Sequence, residues 1–63
     1  MSAHAELSSA GTALDELVAR IRAITEGLSA AEREALSADL FEVERGLGNA
    51  ARRLARLVES TGR

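Results

Sequence analysis

Two consecutive aliphatic stripes constrain this chain more than any other feature. The first runs through Leu7, Ala10, Leu14, Leu17, Ile21, Ile24 and Leu28, and the second through Leu36, Leu40, Val43, Leu47, Ala50, Leu54 and Leu57. In both, the spacing alternates between three and four residues, which lines apolar side chains along one side of an α-helix. The pattern predicts two helices, one over about 3–26 and one over about 30–60.

The segment between them, "EGLSAAERE", carries stop and start signals almost side by side. Gly27 suits the left-handed position after a helix end, and Leu28 suits the apolar contact that follows it. Ser29 reads as an N-cap, with Glu32 three residues on completing a capping box. A connection this short, near 27–29, turns the second helix back antiparallel to the first. The expected fold class is therefore all-α, an antiparallel helical hairpin forming a single domain. Two starts fit the first helix. Leu7 and Ala10 keep the stripe in phase from about residue 3, while Thr12 and Asp15 form a second capping-box pattern just after Gly11.

Folding the stripes about that turn predicts a set of facing layers: Ile21 with Leu36, Leu17 with Leu40, Leu14 with Val43, Ala10 with Leu47, Leu7 with Ala50 and Ala3 with Leu54. Charge follows the same division. Residues 26 to 44 are predominantly acidic and residues 45 to 63 predominantly basic, so the hairpin is expected to set the acidic stretch near Arg20 and Arg22, and the basic one near Glu6.

At 63 residues the chain is short, and small domains usually need disulfides, a metal or association to be stable. Cysteine is absent and His4 is the single histidine, so neither a disulfide nor a histidine metal cluster is available. A lone hairpin leaves much of both stripes uncovered. Val18, Ala51 and Val58 widen the stripes beyond a two-stranded seam. A homodimer packed as a four-helix bundle is the expected assembly. Its hairpin and dimer core would comprise Leu7, Leu14, Leu17, Ile21, Ile24, Leu28, Leu36, Leu40, Val43, Leu47, Leu54 and Leu57.

Thirteen alanines and the absence of proline favour helix throughout. No apolar run approaches the roughly 18 residues of a membrane span, and the first residues lack a secretory pattern. A cytoplasmic protein is expected. All eight basic residues are arginine, which together with the alanine excess points to a GC-rich bacterial genome.

The same residues argue against catalysis. Glu32/Glu34 and Glu42/Glu44 are two apart and do not share a helix face, and no Glu-x-x-His metal element exists. No catalytic residue, cofactor or metal site is expected. Phe41, the one aromatic residue, falls outside the stripe, either filling the rim of the dimer or anchoring a protein partner. Arg45, Arg52, Arg53 and Arg56 form one basic patch, a candidate for anions or nucleic acid. Against nucleic acid stand a net charge of −2 and the lack of interleaved aromatics.

"ERGLGNAARR", residues 44–53, holds Gly46 and Gly48. It matches neither the dinucleotide nor the P-loop pattern, and the stripe keeps its phase through it. A continuous helix, with a bend at 46–49 as the alternative, is expected there. Gly46, Ala50 and Ala51 then offer a small-residue surface for close helix packing. The expected function is a non-enzymatic protein–protein interaction module, such as an adaptor, regulatory subunit or assembly factor. The alternative is a nucleic-acid-binding regulator using the arginine-rich end of the second helix.

Overall fold

A computed structural model describes residues 2–62. Among them are two helices, α1 (Ala3–Glu26) and α2 (Ala30–Thr61), packed antiparallel, and no strand. The hairpin is 48 Å long, which matches the 32 residues of α2 at about 1.5 Å each.

The ends of the helices follow from local hydrogen bonding. Ser2 Oγ accepts the Ala5 amide at 3.2 Å, so α1 begins at the earlier of its two starts. Thr12, inside the helix, donates its hydroxyl to the Ser8 carbonyl at 3.3 Å instead of capping. At the start of α2 the capping box is complete: Ser29 Oγ accepts the Glu32 amide at 3.2 Å, and Glu32 Oε1 accepts the Ser29 amide at 2.9 Å. α2 continues without interruption through Gly46–Asn49.

The connection differs from the sequence expectation. Gly27 has φ −89° and ψ 2°, so it is not left-handed. Its amide bonds back to the Ala23 and Ile24 carbonyls, both at 3.1 Å, and Leu28 bonds to Thr25 at 3.4 Å. The chain therefore does not reverse sharply at the glycine. It tightens, then runs extended through Ser29, at φ −68° and ψ 168°.

This linker explains a second correction, to the facing layers. The position where a Gly11 Cβ would sit lies 3.9 Å from the Leu54 side chain, and His4 Nδ1 lies 3.1 Å from Thr61 Oγ1. Leu54 thus sits opposite Gly11 and not Ala3, a slide of eight residues, or about 12 Å along α1. The slide equals the difference between the helix lengths, 32 residues against 24. The helices finish together at the open end, and the linker climbs beside the first two turns of α2 that overhang α1.

The slide is one heptad plus one residue, so it also rotates the helices. The residues turned inward on α1 are Leu7, Gly11, Leu14, Val18, Ile21 and Thr25; on α2 they are Ser37, Leu40, Glu44, Leu47, Ala51, Leu54 and Val58. Of these only Val18 is buried, at 9% exposure. The seam is completed by polar contacts. Thr25 Oγ1 shares its one proton between the Ile21 carbonyl at 2.9 Å and the Glu44 carboxylate at 3.1 Å. Thr61 Oγ1 donates to the Val58 carbonyl at 3.0 Å, which leaves it to accept from His4 Nδ1–H. The acidic stretch does lie near Arg22, which shares a groove with Glu44, but no ion pair crosses the seam among the described residues. Among the described residues the one ion pair is Arg45–Glu42, at 3.8 Å, one turn apart on the surface of α2.

Candidate functional site

The rotated seam sorts the aliphatic stripe into two halves. Leu7, Leu14, Ile21, Leu40, Leu47 and Leu54 turn inward, as does Leu28 in the linker, whereas Leu17, Ile24, Leu36, Val43 and Leu57 are left between 42% and 53% exposed. Successive residues lie 100° apart around a helix. Positions three after an inward leucine therefore sit about 60° to one side of it, and positions four after about 40° to the other. The seam takes the second set in both helices. Because α2 runs opposite to α1, the first set emerges on the same side of the hairpin from both. Leu17 and Ile24, with Ala10, thus share a face with Leu36, Val43 and Leu57, with Ala50.

Charged residues border that face. Glu6 and Arg20 on α1, and Asp39 and Arg53 on α2, each precede an inward aliphatic by one residue, which puts them on its rim. The sequence signal for them was present, but it could be read only once the inward positions were known.

Phe41 stands elsewhere. It lies about 160° around α2 from Val43, 61% exposed, in a shallow groove on the opposite side of the hairpin. That groove is lined by Phe41, Glu44, Arg45, Gly48 and Arg52 of α2 and by Arg22 of α1. Reading the sequence did not join Arg22 to this group, since only the register of the hairpin brings it there. Gly48 leaves a notch in the groove, where an added Cβ would meet Arg52 Nη1 at 3.7 Å. Arg52 donates to Asn49 Oδ1. Neither Arg22 nor Arg52 has a carboxylate within 4.0 Å among the described residues.

Arg53 and Arg56 of the basic patch divide from Arg45, while Arg52 lines both concavities. Arg52, Arg53 and Arg56 line a second concavity with Gly46, Asn49 and Ala50 on the outer side of α2. The three small residues also separate. Ala51 faces α1, Ala50 is exposed, and Gly46 has open space where a Cβ would be. Gly46 therefore makes no close approach to α1. The glycine that faces the other helix, in ordinary contact range of Leu54, is Gly11, which the sequence offered only as a helix-start signal.

Among the described residues no group of three or more His, Asp or Glu side chains converges to hold a metal, and no helix is long and apolar enough to cross a membrane. Compared with models of protein families, with curated proteins and with solved structures, the chain matches none.

Proposed function

We propose that this protein is a small non-enzymatic interaction module whose hairpins pair through the exposed apolar face into a four-helix bundle. One observation carries the reading: five large aliphatics lie half-exposed on one side of a hairpin in which, among the described residues, Val18 alone is buried. Covering each would contribute on the order of 1 kcal/mol, half the value of a fully buried side chain. A second copy supplies the missing half of the core and leaves the Phe41 groove outward on each subunit. In this arrangement Phe41 is not at the dimer rim. It serves as the aromatic anchor for a protein partner, with Arg22, Arg45 and Arg52 favouring acidic side chains around it. An adaptor or regulatory subunit acting in the bacterial cytoplasm fits this division of surfaces.

Sedimentation or light scattering at micromolar concentration tests the assembly, with a dimer expected. A well-folded monomer of 6.6 kDa would overturn it. For the groove, Phe41→Ala is expected to remain dimeric while losing a partner that the native protein retains; unfolding of the variant would assign Phe41 to stability instead.

A second reading rests on Arg52, Arg53 and Arg56 lining one concavity: a regulator that binds nucleic acid through its phosphates. A mobility-shift titration with mixed-sequence RNA and DNA at low salt checks it, since phosphate contacts are strongest there. The absence of binding under those conditions ends that reading.

A further inference from the structure

We infer that the second copy docks antiparallel, α2 against α2, about a two-fold axis passing beside Gly46. The inference rests on the dimer proposed above and specifies its geometry.

Three pairs of residues on α2 are symmetric about that point to within half a residue. On the exposed apolar face, Val43 and Ala50 are equidistant from the middle of the Gly46–Leu47 step, and so are Leu36 and Leu57. On its rim, Asp39 and Arg53 are equally spaced on either side of Gly46. An antiparallel copy centred there therefore brings Leu36 against Leu57 of the partner subunit and Val43 against Ala50 of the partner subunit. Asp39 meets Arg53 of the partner subunit, and each of these contacts occurs twice.

Side-chain size follows the same symmetry. Two packed helices cross at an angle and are closest at the crossing. Leucines lie at the ends of this contact, valine and alanine nearer its middle, and Gly46 at its centre. Nothing in the hairpin fills the space in front of Gly46, so this glycine is free to meet its own symmetry mate.

Charge favours this arrangement over the parallel one. Glu32, Glu34, Asp39, Glu42 and Glu44 lie in the first half of α2, and Arg45, Arg52, Arg53 and Arg56 in the second. Antiparallel pairing sets each acidic half along a basic one, whereas parallel pairing would set like against like. α1 accommodates the same axis. Gly11 opposite Leu54 and His4 opposite Thr61 fix the register, placing the Gly46–Leu47 step level with Val18. Leu17 then lies about one turn or less from the axis along the helix, with Ala10 and Ile24 on either side of it.

Cysteine cross-linking tests this directly, because the chain has no cysteine of its own. Gly46→Cys is expected to form an intersubunit disulfide on mild oxidation, since only residues near a two-fold axis bring their own Cα atoms within about 7 Å. Gly48→Cys, on the groove side, is expected to remain reduced under the same conditions. Charge reversal gives an independent reading in the full-length protein. Asp39→Arg and Arg53→Asp are each expected to weaken dimerisation about three- to tenfold at low salt, as exposed charge pairs do, and the double variant to recover most of the loss. A dimer that cross-links no better at Gly46 than at Gly48, or a double variant as weak as either single one, would overturn this geometry while leaving the dimer intact. A monomeric wild-type protein would overturn both.

Discussion

Glycine positions separate what each residue does in this hairpin. Gly27 occupies a helix end, yet its negative φ is open to any L-residue. An added Cβ would lie 3.5 Å from the Ala23 carbonyl oxygen, an ordinary contact. Gly27→Ala is accordingly expected to be neutral or to stabilise by up to roughly 1 kcal/mol, through lower entropy of the unfolded chain. A large loss in thermal denaturation would mean that the turn needs a left-handed residue after all. Gly11 offers the matching experiment inside the seam. Its Cβ would touch Leu54 at 3.9 Å without crowding, so Gly11→Ala should gain about 0.8–1 kcal/mol of helix propensity. In a domain of this size that corresponds to a rise of about 4–8 °C in melting temperature. Destabilisation would show that α1 and α2 pack more closely there than ordinary contact.

At the scale of the element, the start of α2 depends on one reciprocal cap. Ser29→Ala removes the acceptor for the Glu32 amide and is expected to cost about 1 kcal/mol, seen as a lower urea midpoint. The cap also makes stability depend on pH. The backbone amide of Ser29, and then its hydroxyl, hold the Glu32 carboxyl below the usual range. A group with a lowered pKa in the folded state contributes stability above its ordinary pKa and loses it as pH falls through the lowered one. The native protein should therefore lose part of its stability on acidification through the carboxylate range. Glu32→Gln should show a flatter profile there by circular dichroism; identical profiles would remove the cap from the account. The length of α2 matters equally. Its eight extra residues over α1 match the slide of the seam and let the helices finish together at the open end.

At the scale of the whole molecule, a hairpin in which Val18 alone of the described residues is buried would, as the proposed dimer, draw much of its stability from association. The melting temperature should therefore rise with protein concentration, as expected when assembly stabilises the folded form. Ile24→Glu places a carboxylate on the apolar face without touching the seam. It is expected to weaken the dimer by about 2 kcal/mol or more, the scale of burying an unpaired polar group. Sedimentation and circular dichroism together check this, and an unchanged dimer would move the interface to another face. Phe41 lies on the opposite side and should not alter the assembly.

The stripes, the capping box at Ser29 and the absence of proline were enough to read two helices and a short antiparallel turn, because helix periodicity and capping are local properties of the chain. The continuity of α2 through Gly46 and Gly48 was legible for the same reason: the aliphatic phase never breaks. The register was not. Stripes that repeat every seven residues leave open how far one helix slides and turns against the other, and nothing local in "EGLSAAERE" reveals whether the linker reverses at once or climbs first. Only the packed hairpin, with Gly11 against Leu54 and His4 against Thr61, selects between them. That selection turns Val18 inward and Leu17 outward, brings Arg22 to Phe41 and leaves Gly46 facing open space. Which residues are apolar is written along the chain, but which of them remain exposed is a relation between two helices, fixed only when their side chains interlock.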